Sequence, residues 1–354
     1  MAVAPASDGH LARFRDFGSN PGALEAYSYI PRSLPAGAPL IVVLHGCTQS
    51  ASGYDRAAGW SRAADEHGFA LLFPEQQRAN NPNLCFNWFS PEDARRQSGE
   101  AFSIRQMVAA MQARHATDPS RVFVTGLSAG GAMAAVMLAT YPDVFAGGAI
   151  IAGLPFGTAR SVPEAFDRMR GHGNGTPDAL AALVRSASSH NGPWPVLSVW
   201  HGTSDQTVDP VNAQAVVDQW RILHGAPQAP SRVGKVNGAT HRVWSDRSGR
   251  DVVEEYLVPA MGHGTPLSTS SAYGETAAPF MLEAGISSTR RTLDFWGISD
   301  QPKSSARLPA EHAAAKLVEP PRAMPNEHYS PQAGPPGGVQ KTIEDALRAA
   351  GLMR

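Results

Sequence analysis

Five short runs of apolar residues rich in β-branched side chains recur along the chain, at 39–45 (PLIVVLH), 69–73, 121–125 (RVFVT), 148–152 (GAIIA) and 195–200 (PVLSVW). Runs that are apolar throughout, rather than alternating, suit strands buried on both faces, as in a parallel sheet. The gaps between them are long enough for crossover helices. Segments 101–115, 129–140 and 211–223 repeat apolar residues on an i, i+3, i+4 face, and Tyr141-Pro142 ends the second of them. A late strand pair is read at 241–244 and 252–258. Strand and helix alternate over 39–297, which predicts an α/β fold: a doubly wound, mostly parallel sheet with helices on both faces.

Two stretches interrupt the alternation. Residues 153–194, which include GHGNGTP, are longer than an ordinary connection and read equally well as a cap over the site or as a surface excursion. Asn174-Gly175-Thr176 within it fits a glycosylation sequon but is foremost a turn signal. From 300 to 338 the composition shifts to Pro, Ala and Ser, with Pro320-Pro321 and Pro335-Pro336 denying regular structure. Beyond it, 339–354 is expected to hold a short amphipathic helix with Thr342 as cap and Ile343, Leu347 and Leu352 on one side. The catalytic domain is therefore expected over 1–299, followed by a tail and a helix too short to fold alone.

Composition narrows the partners. The chain of 354 residues is 42% hydrophobic and 17% charged, enough to bury a substantial core, and its formal net charge of −1 gives no field to attract nucleic acid. No uninterrupted apolar stretch reaches the length of a membrane span. The first 35 residues lack a basic segment followed by an apolar one, so no secretory signal is read there: either the chain stays inside, in the cytoplasm, or a leader was removed. Cys47 and Cys85 are too few for a disulfide framework and lack CxxC spacing. One bridge between them and two small buried thiols are both open readings, the bridge slightly preferred because both fall in loops that this fold brings near its site.

The chemistry is carried by RVFVT running into Gly126-Leu127-Ser128-Ala129-Gly130, with a helix following at once. Strand, tight turn and helix in that order form a nucleophile elbow, where a Cβ at Gly126 or Gly130 would collide and the serine oxygen stands exposed. An oxyanion hole needs two converging donors, and the backbone N–H groups of Cys47, in the loop after 39–45, and Ala129, at the helix start, are the candidates. His45 and Gly46 then shape that loop rather than transfer protons.

Serine requires a base held in one tautomer by a carboxylate, and in this fold the acid and the histidine follow it in that order. Asp205 lies in HGTSDQTV after 195–200, at the strand end where sites of open sheets form, whereas Asp209 before Pro210 reads as a helix-start residue. His263 lies between Gly262 and Gly264 after the last strand and is the expected base; His172, His201 and His241 are the competitors. There is no HExxH, paired CxxC, GxxxxGK[ST] or GxGxxG after a strand, so no metal and no cofactor is implied.

With these residues in place, the chain resembles the polyhydroxybutyrate depolymerase family of esterases, related to feruloyl and acetylxylan esterases, of the α/β-hydrolase superfamily. LHGCTQ at 44–49, GLSAGG at 126–131, HGTSDQTV at 201–208 and GHGTP at 262–266 are similar to that family's motifs, and the likeness spans 24–297. The resemblance implies an extracellular serine carboxylesterase acting on short hydroxyalkanoate esters or on aromatic or acetyl esters of plant walls, and it supports Cys47 as an oxyanion-hole residue. It also implies an aromatic wall for the acyl group at Asn87-Trp88-Phe89, with core packing an equal alternative for Trp88. Many secreted depolymerases carry a separate polymer-binding domain. The tail after Asp300 has neither the length nor the aromatic content for one, so soluble esters or oligomers are the expected substrates. The rivals are a peptidase or thioesterase with the same three residues, or a hydrolase fold kept as a binding module without turnover.

Overall fold

The computed structural model describes residues 10–299; the tail and C-terminal helix expected at 300–338 and 339–354 lie outside the described residues. In chain order the elements are β1 (Ala12–Arg13), β2 (Glu25–Tyr29), β3 (Leu40–Leu44), α1 (Ala51–Ala58), α2 (Trp60–His67), β4 (Ala70–Glu75), α3 (Gly99–His115), β5 (Val122–Leu127), α4 (Ala129–Thr140) and β6 (Gly147–Ile151). Then follow α5 (Val162–Met169), α6 (Pro177–Ser186), β7 (Val196–Gly202), α7 (Val211–Leu223), β8 (Arg232–Val236), β9 (Ala239–Ser245), β10 (Asp251–Val258), β11 (Thr265–Leu267), β12 (Met281–Glu283) and α8 (Ser288–Phe295).

Among the described residues ten strands form one sheet, in the order β1-β2-β4-β3-β5-β6-β7-β10-β9-β8. The central strands β4, β3, β5, β6, β7 and β10 run parallel, and the β1-β2 and β9-β8 margins are antiparallel. Each apolar run read from the sequence is thus a central strand, and the late pair 241–244 and 252–258 is β9 against β10.

Both faces of the sheet are covered. In β3, Leu40, Val42 and Leu44 join a core with α3, α4 and α7, while Ile41 and Val43 join the opposite core with α1, α2 and α8. Every residue of α4 is buried, the condition of a helix walled in on all sides rather than one with a single apolar stripe. The exposed edge strand β8 carries Arg232 and Lys235, charges that discourage pairing with another chain. No helix among the described residues is long and apolar enough to cross a membrane.

Segment 153–194 forms α5 and α6 between β6 and β7. Thr176, from the sequon, caps α6 through the Ala179 N–H. The segment rests on α7 through two buried amides: Gln219 donates to Phe156 O and Leu180 O at 3.0 and 2.9 Å, and Asn212 donates to Arg168 O at 2.9 Å.

Candidate active site

Ser128 stands between β5 and α4 with φ 57° and ψ −118°, a left-handed conformation that a non-glycine residue holds only when its surroundings enforce it. Two backbone bonds do so: Ser128 N–H donates to Ile151 O at 2.9 Å, and Ser128 O accepts from Ala132 N–H at 2.8 Å. The flanking glycines are required by space, because a Cβ at Gly126 would lie 2.3 Å from Gly130 O and one at Gly130 would lie 2.4 Å from Leu44 O.

Asp205 follows β7 and His263 follows β10, so both leave the same carboxyl edge of the sheet as Ser128. His263 Nδ1 donates to Asp205 Oδ2 at 2.7 Å, which fixes the ring's tautomer and leaves Nε2 free to accept. Asp205 is 5% exposed, and its Oδ1 accepts the Thr207 and Val208 N–H groups at 2.8 and 2.9 Å. Burial alone would raise its pKa, but hydrogen bonds from His201 and His263 outweigh burial and hold the carboxyl well below the usual range. Asp205 is therefore an anion at any working pH. Among the described residues no hydrogen bond joins the Ser128 hydroxyl to His263; such bonds commonly tighten only when substrate arrives.

The competitors fall elsewhere. Asp209 Oδ1 accepts the Val211 N–H at the start of α7. His241 pairs with Glu254 at 2.9 Å and stacks on Tyr256, His172 is exposed in the inserted segment, and His201 is buried behind Asp205. Of the two glycines beside His263, Gly264 is required, since a Cβ there would meet Phe280 O at 2.7 Å, whereas Gly262 faces open space. Phe280, which also packs edge-on to the His263 ring with centroids 6.1 Å apart, carried no sequence signal.

The loop after β3 is organised by His45. Gln76 N–H donates to its Nε2 at 3.1 Å, so the ring proton sits on Nδ1, which donates to Gly46 O at 2.7 Å. Burial lowers His45 to about 4, in keeping with a neutral ring. Across a planar trans peptide, a Gly46 carbonyl held toward His45 turns the Cys47 N–H the opposite way. Neither the Cys47 nor the Ala129 N–H has a hydrogen-bond partner among the described residues. Cys47 is joined to Cys85 in a disulfide, so of the two open readings the bridge is the one found. It ties the Cys47 loop to the segment bearing Trp88. Trp88 itself is 8% exposed, edge-on to Phe89 at 5.6 Å and packed in the α3/α4 core.

A buried carboxylate supports both loops and was not picked out in the sequence. Glu100, in the first turn of α3 and 0% exposed, accepts from Gln76 Nε2 at 2.6 Å, Asn80 Nδ2 at 3.2 Å, Asn87 Nδ2 at 2.8 Å and Asn87 N–H at 2.8 Å. Through Gln76, whose side chain also donates to Cys85 O at 3.0 Å and whose backbone N–H bonds His45, Glu100 links the His45, Cys85 and Asn87-Trp88 segments. Its only local signal is an acidic residue entering an apolar helix.

Burial pushes Glu100 up to about 8, and Glu275 up to about 7. Unfolded, both release their protons near about 4.3, so the folded chain binds more protons and stability falls as pH rises through that interval. His45 and His224, both lowered to about 4 by burial, act in the opposite sense, but only below about 6.5. The thermal unfolding midpoint is therefore expected to drop between about pH 6.5 and 8.5, and to drop less in Glu100→Gln. An equal drop in both proteins would clear Glu100 of that role. Among the described residues no group of three or more His, Cys, Asp or Glu is arranged to hold a metal ion.

A mostly parallel sheet with helices on both faces and a strained serine turn at the end of its central strand defines an α/β-hydrolase. Sequence comparison narrows the class. The chain belongs to the Esterase PHB depolymerase family, which matches residues 26–240. Over 301 residues it is 46% identical to poly(3-hydroxyalkanoate) depolymerase C of Paucimonas lemoignei, a match covering 84% of this chain and 72% of that one. It is 31% identical over 269 residues to feruloyl esterase B of Talaromyces stipitatus, covering 73% and 74% of the two chains. The acetyl xylan esterase from Aspergillus awamori shares the fold, with a TM-score of 0.70 at 24% identity over 82% of this chain and 100% of that one. Membership of this family, whose relatives are named as esterases and depolymerases, makes the chain a carboxylic ester hydrolase.

Proposed function

We propose that the chain hydrolyses esters in two steps through an acyl-enzyme on Ser128, with His263 as the base and Asp205 as the carboxylate that orients it. The observation that carries the reading is the buried Asp205 holding His263 Nδ1 at 2.7 Å on the sheet edge where Ser128 occupies its strained turn. Ser128 Oγ attacks the ester carbonyl carbon while its proton passes to His263 Nε2; the alcohol then leaves with that proton. Water, deprotonated by His263, attacks the acyl carbon and releases the acid, and Ser128 recovers its hydrogen. The Cys47 and Ala129 amides stabilise the oxyanion at both stages. Trp88 and Phe89 wall the acyl group.

The 46% identity to a named poly(3-hydroxyalkanoate) depolymerase favours short hydroxyalkanoate esters, soluble or oligomeric, over plant-wall esters. The Cys47–Cys85 bridge favours an oxidising, extracellular setting. A net charge of −1 favours no polyanionic partner. The inserted α5 and α6 serve as a fixed shoulder rather than a lid, since buried Asn212 and Gln219 fasten them to α7. A 3-hydroxybutyrate trimer is expected to be cleaved with a higher kcat/KM than methyl ferulate or acetylated xylo-oligosaccharides. Preference for either of the latter would assign the site to plant-wall esters instead. Cleavage of peptides or thioesters ahead of all three would remove it from the ester class.

A further inference from the structure

The carboxylate of Asp205 has more donors than the orientation of one imidazole needs. Oδ1 is taken up by the Thr207 and Val208 N–H groups. Oδ2 accepts His263 Nδ1 at 2.7 Å and also faces His201 Nε2 at 3.3 Å. The same His201 nitrogen lies 2.8 Å from Val208 O. A backbone carbonyl only accepts, so Nε2 carries the hydrogen and donates it to Val208 O, with Asp205 Oδ2 beside the same N–H at 3.3 Å. His201 is 1% exposed, four residues before Asp205 at the end of β7, and the reaction steps above leave it unused.

We propose that His201 is a positioning residue: its Nε2–H, fixed on Val208 O, forms a polar clamp 3.3 Å from Asp205 Oδ2 and so sets both the rotation of the carboxylate and the charge it presents to His263. The inference rests on the reading of Asp205 and His263 given above. Val208 closes the device, because its N–H holds Oδ1 while its C=O holds His201 against Oδ2 at 3.3 Å. Two backbone donors on Oδ1 and His263 on Oδ2 leave the carboxylate some freedom to tilt; a polar N–H set 3.3 Å from Oδ2 restricts it. It also withdraws charge from the oxygen that stabilises the His263 imidazolium. Without it that oxygen becomes a stronger partner for the His263 Nδ1–H. The other charges near His201 are Glu255 on β10 with Arg242 on β9, and Asp218 with Arg221 on α7. They are common to all variants below and cancel from the comparison.

The test compares His201→Leu, which removes the donor, with His201→Gln, whose amide N–H replaces it, by the pH profile of kcat/KM on p-nitrophenyl butyrate. The Leu variant is expected to lose about tenfold or more in kcat with KM within about twofold, and its acid limb is expected to move up by about half a pH unit or more. The Gln variant is expected to recover most of kcat and the wild-type limb. A Leu variant with the wild-type limb and kcat overturns the proposal, as does a Gln variant no closer to wild type than the Leu variant. If the Leu variant does not fold, nitrogen-15 NMR of the wild-type imidazoles decides: His201 is expected to be protonated at Nε2, and a proton on Nδ1 alone overturns the clamp. That measurement needs no turnover, so it stands apart from failure of the esterase reading, which would show as no hydrolysis by the wild type.

Discussion

Ser128→Ala is expected to retain less than about one thousandth of the wild-type kcat on p-nitrophenyl butyrate, since loss of the nucleophile in a unit of this kind typically costs far more than that. Its thermal midpoint is expected to stay within a few degrees of the wild type. The strain at φ 57° is imposed by Ile151 O and Ala132 N–H on the backbone and is the same for alanine. The hydroxyl makes no hydrogen bond among the described residues, so removing it breaks no contact. Large loss of rate with little loss of stability separates a chemical role from a packing one. A variant that keeps more than a hundredth of the rate, or one that is slow only because it is unfolded, would count against Ser128 as nucleophile. Initial rates and unfolding curves on the same samples make the distinction.

Asp205→Asn is expected to lower kcat by about 10⁴-fold near neutral pH, the scale seen when the orienting carboxylate of such a unit is neutralised. Three donors bond this carboxylate, Thr207 N–H, Val208 N–H and His263 Nδ1, and His201 Nε2 faces it at 3.3 Å. An asparagine offers one acceptor oxygen and one NH2. Whichever way the amide turns, a donor meets a donor. If the NH2 faces His263, the ring must carry its proton on Nε2, and the atom that should accept from Ser128 is blocked. The same conflict also costs stability, about 1–3 kcal/mol for a buried polar group left without its partner. Urea unfolding and steady-state kinetics read the two effects separately. Asp209→Asn, which touches only the first turn of α7, is expected to leave kcat within about threefold.

Much of this site was legible because its parts announce themselves locally. A strand buried on both faces is predominantly apolar, and 39–45, 121–125 and 195–200 are; a serine at a left-handed apex needs glycines that give way to neighbouring backbone, and Gly126 and Gly130 supply them. Chain order then left few candidates for acid and base. The margins of the sheet were silent for an equally physical reason. In β2 (EAYSY) the buried positions are Ala26 and Ser28, and the larger Tyr27 and Tyr29 lie on the other side, so no apolar period marks the strand. α1 and α2 bury one large aromatic each, Tyr54 and Trp60, among Ala, Ser and Asp rather than a clean apolar stripe.

What sequence pattern could not disclose were side chains whose meaning lies in distant partners. Glu100 gathers residues 13 to 24 positions earlier in the chain, Phe280 reaches back across His263, and His201 appeared as a rival base when it is a buried neighbour of Asp205. Cys47 and Cys85, separated by 38 positions, stood between: the bridge was the slightly preferred reading, and the fold brings the two sulfurs together.

The most direct test of the account is to treat the native wild-type protein with a fluorophosphonate and map the adduct by mass spectrometry. A single adduct on Ser128, absent from the Ser128→Ala variant and slowed by about 10³-fold or more in His263→Ala, is the expected result. A protein that remains unlabelled while folded, or one labelled at any serine other than Ser128, would contradict it.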